Sequence, residues 1–167
     1  VGSVENIKRI IGIIRSEKEN GEEVALVCSA FSKVTDQLIN AGKLAEKKDN
    51  TTYLEIFENF RERHRIAIEE LITVSDIKNV MLEEFVESMV RVEDILKGIN
   101  LLGELSDKTL AQLVSFGERF SSFIVAGALR SAGLQGVYVN AINLIRTDTN
   151  YLSAKVNLGS TYNDLSS

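Results

Sequence analysis

Glu118 is the residue whose surroundings most invite chemistry. On a helix, the positions three and four away from it are Val114, Ser115, Ser121 and Ser122, so three of its four neighbours are small hydroxyl residues. A ligand can approach such a surface closely, and the carboxylate can accept a hydrogen bond from a ligand ammonium. Arg119 points about 100° away and is not automatically part of the same site. A second reading stays open on residue types alone. Ser115-Phe116-Gly117-Glu118 has the spacing of a capping box, in which the serine accepts from a backbone amide and the glutamate reaches back to the serine amide.

A second polar group follows an apolar run. Val24-Ala25-Leu26-Val27-Cys28 leads into Ser29-Ala30-Phe31-Ser32-Lys33-Val34-Thr35. The continuous run predicts a strand buried on both faces, as in parallel sheets covered by helices. In such sheets ligands sit beyond the carboxyl ends of strands, where helix N-termini offer amides to anions. Ser29, Ser32, Lys33 and Thr35 bring hydroxyls and one cation there, although any strand-to-helix loop needs polar residues and a threonine cap. His64, the single histidine, lies four residues from Phe60 and from Ile68 and reads as a solvent-edge or core packing residue. Cys28, the single cysteine, reads as a small buried hydrophobe. One histidine and one distant cysteine give no zinc pattern and no nucleophilic triad, and no phosphate-binding glycine signature is present.

The elements that must hold these residues are mostly helices. Ile7, Ile10, Ile11 and Ile14 recur at helical spacing, with Ser3 to cap and Gly21 to stop, and predict a helix over 4–19. Thr35 is placed as N-cap of a helix running to about Lys48. Thr52-Tyr53-Leu54-Glu55 reads as a capping box opening a third helix, whose apolar face holds Ile56, Phe57, Phe60, Ile68 and Leu71. A fourth, from Asp76, carries Ile77, Val80, Met81, Phe85, Met89, Val92 and Leu96, with Gly98 available to end it. Ser106 caps the helical region around Glu118, which runs to about Ser131 before Gly133. Gly136–Asn140 alternates and predicts a second strand, and Ala141–Arg146 one or two helical turns. The polar tail, with Tyr151-Leu152-Ser153 and Lys155-Val156-Asn157, gives no clear element. Two strands make a poor sheet, so further strands are expected either near the C-terminus or outside the chain.

Composition narrows the function classes. At 167 residues, 44% hydrophobic and 26% charged, the chain fits one domain with a sizeable core. A net charge of −5 argues against nucleic acid as a partner. No apolar run approaches the roughly 20 residues of a membrane span, which together with the lone cysteine predicts a cytoplasmic protein and no membrane partner. Proline is absent, favouring long uninterrupted helices. The helical pattern begins almost at once and without Met, which leads us to expect a fragment.

Taken together, three pieces resemble the aspartate kinases. Val27-Cys28-Ser29-Ala30-Phe31-Ser32-Lys33-Val34-Thr35-Asp36 is similar to their VVVSA strand and loop followed by VT[DN]. Leu101–Ser106 followed by Ser115-Phe116-Gly117-Glu118-Arg119-Phe120-Ser121-Ser122 resembles their SFGERLSS helix, and the LLGELS form is similar to aspartate kinases fused to homoserine dehydrogenase. Asn140-Ala141 with Ile145-Arg146-Thr147-Asp148 resembles their VDAR and I-x-TD segments, and Val1-Gly2-Ser3-Val4 the continuation of KFGGTSV.

The resemblance implies an α/β protein with a partial amino-acid kinase fold, an open, mostly parallel sheet flanked by helices and helix-dominated here. Residues 1–167 would be the N-terminal portion of a catalytic domain. It implies transfer of the γ-phosphoryl group of ATP, with Mg²⁺, to the side-chain carboxylate of L-aspartate, the first step towards lysine, threonine and methionine, in a parent that is a homo-oligomer. It assigns Ser29 and Ala30 to the aspartate-side loop, Thr35 to a substrate contact, and Glu118 to the aspartate ammonium. The lysine and glycines of KFGGT and the later glycine- and serine-rich segment are not in this chain, and Asn140 stands where the family usually has Asp. No catalytic residue is therefore expected in this chain, and it should be inactive alone. The competing readings are a non-catalytic helical interaction module, for which Glu118 is only a cap, and an amino-acid kinase with a different carboxylate substrate.

Overall fold

A computed structural model describes residues 3–151 and 153–166. Val1-Gly2 of the opening segment and Leu152 of the tail lie outside the described residues.

Among the described residues six α-helices follow one another: α1 (Val4–Glu19), α2 (Val34–Glu46), α3 (Thr52–Leu71), α4 (Ser75–Leu102), α5 (Asp107–Ser131) and α6 (Leu158–Ser166). A single 3-10 turn, Ala141–Asn143, lies between α5 and α6. Helix α1 has the expected bounds, with Ser3 Oγ accepting from Asn6 N and Gly21 turning the chain at φ 85°. Helix α5 starts as its cap predicts, since Ser106 Oγ accepts from Thr109 N.

Helix α5 is the centre. It packs against α1, α2, α3 and α4. Its stretch from Phe123 to Ala128 is buried at every position, as a helix surrounded on all sides must be. Phe120 stands at the middle of an aromatic group, with Phe60 of α3 at 5.8 Å, Phe85 of α4 at 5.3 Å and Phe116 at 5.9 Å between ring centroids. Close approach needs small residues. A β-carbon on Gly127 would overlap Met81 Sδ of α4, and one on Gly136 would come within 2.5 Å of Ala126 O, where the chain leaving α5 folds back over it.

Several helix ends differ from the sequence reading. Helix α2 begins at Val34, with Lys33 as its N-cap in the left-handed region at φ 66°, so Thr35 lies inside the first turn and is not the cap. At α3 the Thr52–Glu55 capping box does not form. Asp49 Oδ1 accepts from the amides of Thr51 and Thr52 instead, which holds its carboxyl below the usual range. Helix α4 runs through Gly98 and ends at Gly103, φ 70°, because Leu96 and Ile99 bury against the core and outweigh one glycine. Helix α6 takes up the tail that sequence left without an element.

The expected sheet is the main departure. Among the described residues the only β pairing is an isolated antiparallel bridge, Thr147 to Val156, and neither Val24–Cys28 nor Gly136–Asn140 joins a ladder. Both segments keep a strand-like alternation: Cys28, Ala30 and Tyr138 pack against the helical core, while Val27 is 97% exposed and Val137 80% exposed. Val24–Cys28 is therefore not buried on both faces. A strand becomes one only by bonding to a neighbour, and no described segment pairs with either run.

Candidate functional site

The segment from Cys28 to Thr35 crosses α5 at the residues around Glu118. Gly117 is what admits it. A β-carbon there would stand 2.9 Å from Ala30 Cβ and 3.0 Å from Val34 Cγ1, tighter than packed carbons tolerate. One turn along α5, Ser122 lies beside the Cys28 thiol, whose pKa is pushed up, chiefly by burial. Ala30 and Cys28 thus hold the two sides of one strip of helix. About 100° per residue puts Gly117, Ser121, Glu118 and Ser122 side by side across that strip.

Of the predicted site residues, Ala30 touches the α5 strip directly. Ser29 precedes it and is exposed, and Thr35 follows Val34, the second residue in contact with Gly117. Glu118 is half-buried, and its carboxylate has no hydrogen-bond or ion-pair partner among the described residues. The capping-box reading of Ser115 and Glu118 fails because both lie in the middle of α5: Ser115 Oγ donates to Gln112 O, and Ser122 Oγ donates to Glu118 O. The carboxylate is left free for something else. Beneath the crossing segment, the Ser121 hydroxyl is fully buried with no partner among the described residues. The amides of Thr35 and Asp36, in the first turn of α2, likewise have no backbone acceptor.

Two residues of α3 position this segment, and the sequence did not mark them for it. Arg63 donates from Nη1 to Ser32 O at 2.7 Å, with its guanidinium 5.7 Å from the centre of the Phe31 ring. His64 is fully buried and stacks on Phe31, with ring centroids 4.9 Å apart and planes within 5°. Its Nδ1 lies 2.7 Å from Phe60 O and donates to it, leaving Nε2 buried and without a partner. Burial pushes its pKa down to about 4, with the Phe60 carbonyl opposing and the Arg63 charge assisting. Of the solvent-edge and core roles left open for His64, the structure gives the core one, and what it packs is the loop. The usable signal was Phe31, an aromatic inside an otherwise polar loop.

No group of three or more His, Cys, Asp or Glu side chains among the described residues converges to hold a metal ion. No metal-dependent step is assigned to these residues. No helix among them is long and apolar enough to cross a membrane.

The chain is similar to known proteins along most of its length. The model of the Amino acid kinase family matches residues 1–163. Aspartokinase 1, chloroplastic, of Arabidopsis thaliana is 32% identical over 152 residues, covering 89% of this chain and 25% of that protein. Bifunctional aspartokinase/homoserine dehydrogenase 1, chloroplastic, of the same plant is 26% identical over 145 residues, covering 87% of this chain and 16% of that protein. The crystal structure of E. coli aspartokinase III in complex with lysine and aspartate (T-state) matches with a TM-score of 0.73 at 21% identity, over 84% of this chain and 29% of that one. The chain spans about a quarter or less of the length of these curated relatives. A family match across nearly the whole sequence, joined to a helical framework shared with a solved aspartokinase, establishes that the chain belongs to the amino acid kinase family.

Proposed function

We propose that the chain is the N-terminal, aspartate-holding portion of an aspartate kinase catalytic domain, whose full-length parent makes 4-phospho-L-aspartate from L-aspartate and ATP on the route to lysine, threonine and methionine. The observation that carries this reading is the unpaired Glu118 carboxylate on the α5 strip crossed by the Cys28–Thr35 segment. Relatives named aspartokinase support it.

In this reading Glu118 accepts from the substrate ammonium. Ser29 and Ala30 line the same side, and Thr35 contributes its hydroxyl and the open amides of the α2 first turn to a substrate carboxylate. The substrate side chain attacks as a carboxylate, which is ionised near pH 7, so Glu118 orients it and removes no proton. An oxygen of that carboxylate bonds to the γ-phosphorus as the bond to the ADP oxygen breaks, and ADP departs. Two anions must meet, so holding them in line is the chief contribution of these residues. The groups for ATP and Mg²⁺ belong to other parts of the parent, which we propose to be a homo-oligomer.

The test is steady-state kinetics of the full-length parent with Glu118→Gln. Losing one charge-assisted hydrogen bond of about 1.5–3 kcal/mol should raise the KM for aspartate roughly tenfold to a hundredfold and leave the KM for ATP in place. An unchanged aspartate KM removes Glu118 from the site.

A further inference from the structure

The turn that carries the Cys28–Thr35 segment into α2 is held in a form that its own residues do not favour. Val34 N donates to Phe31 O at 3.0 Å, which closes a four-residue turn over Phe31-Ser32-Lys33-Val34. Lys33 has φ 66° and ψ 1°, while Ser32 is outside the positive-φ region. This combination is a type II turn, whose third position suits glycine because a β-carbon there is strained. With lysine at that position, rotating the Ser32–Lys33 peptide would relieve the strain and give the commoner type I turn with the same closing hydrogen bond.

What resists the rotation comes from α3. Arg63 Nη1 donates to Ser32 O at 2.7 Å, and this is the carbonyl of the peptide that would rotate. Phe31 and Val34, the two ends of the turn, are buried, so they stay in place whichever way the middle peptide faces. His64 stacks on the Phe31 ring and the Arg63 guanidinium lies near the same ring, so two successive residues of α3 grip the side chain and the backbone of one turn. A charge-assisted hydrogen bond outweighs the strain of one left-handed lysine, so this contact decides the turn type.

We propose that Arg63 is a positioning residue for the anionic substrate: by holding the Ser32 carbonyl towards α3, it keeps the Lys33 amide of the same peptide facing the opposite way, open to a carboxylate. The two groups of a trans peptide point apart, and Lys33 N has no acceptor among the described residues. In the rotated turn the carbonyl oxygen would take the place of that amide, beside the first turn of α2, and repel a carboxylate there. The role rests on the reading of Glu118 and the Cys28–Thr35 segment as the aspartate site. Arg63 acts through the share of molecules whose turn is competent. Its loss therefore weakens apparent binding by the inverse of that share and leaves the bound complex as it was.

The test is steady-state kinetics of the full-length parent with Arg63→Gln, Lys33→Gly, the two combined, and Glu118→Gln. Arg63 is half-buried at the edge of α3, so its substitution leaves the fold intact, which circular dichroism checks. Arg63→Gln should raise the KM for aspartate about tenfold, with kcat within about twofold and the KM for ATP in place. Glycine at position 33 makes the left-handed backbone ordinary, so in the Lys33→Gly background the same substitution should raise the aspartate KM less than about threefold. A purely structural role would cost the same in both backgrounds. An aspartate KM unchanged by Arg63→Gln overturns the proposal, and so does an equal rise in both backgrounds. If Glu118→Gln raises the KM where Arg63→Gln does not, the positioning role falls and the aspartate site stands; if neither raises it, both fall.

Discussion

Acidification from pH 7 to pH 4 asks the fold to accept a proton on His64, a ring with no exposed surface, stacked between Phe31 and the α3 and α5 aromatics. Its folded pKa is pushed down to about 4 from 6.5, so between these values the unfolded chain binds the proton and the folded chain resists it. The stability that the neutral ring carries is complete above about pH 6.5 and is lost as pH falls towards 4. The two values give a loss of about 2 kcal/mol at pH 5 and about 3 kcal/mol at pH 4, against a total of roughly 5–15 kcal/mol for an ordinary domain. His64→Phe supplies the control. A phenyl ring keeps the stack and has nothing to protonate, and the Phe60 carbonyl retains its helical hydrogen bond. Urea unfolding of both proteins at pH 7, 6, 5 and 4 should show the wild type losing about 3 kcal/mol more than the variant over the range. Carboxylates such as Asp49 and Glu62, held below their usual range by hydrogen bonds, also cost stability in acid, but they titrate alike in both proteins and cancel. A stability difference that stays flat from pH 7 to 4 would refute the reasoning.

Two further substitutions test the packing that builds the sites. Gly117→Ala forces Ala30 and Val34 off α5 by a few tenths of an ångström, and in the full-length parent it should lower kcat/KM for aspartate about tenfold to a hundredfold with helix content unchanged. Wild-type kinetics would show that the loop does not depend on this contact. Gly127→Ala drives a methyl into Met81 and should cost about 1–3 kcal/mol of urea stability, with much of the loss recovered when Met81→Ala is added; two independent, additive losses would place the strain elsewhere.

Helical periodicity made most of the framework legible. The bounds of α1, the Ser106 cap and the apolar faces of α3 and α4, apart from Val80, which was expected on the α4 face and is exposed, follow from spacing, because a helix satisfies its own backbone and its pattern is local. The strands were misread for the complementary reason. Val24–Cys28 has the composition of a strand, but a ladder depends on a neighbour that no local pattern can specify. At the site, spacing put Glu118 among serines but could not choose between cap and ligand; only the unbroken run of α5 through Ser115 removes the cap. Arg63 was invisible because its partner, the carbonyl of Ser32, is a backbone group 31 residues away, and any residue type could have supplied it.

The central position of α5 also has a cost in time. The helix on which α1 to α4 converge is the fifth of six in chain order, and Phe120 follows its partner Phe60 by sixty residues. At about 5–20 residues per second of synthesis, the apolar faces of α2 and α3 emerge some 3–12 s before the helix that covers them. During that interval Phe57, Phe60 and Leu38 pack only against α1 to α4 and lack the α5 side of their core, so a nascent chain halted before Asp107 should engage chaperones far more than one extended through Ser131.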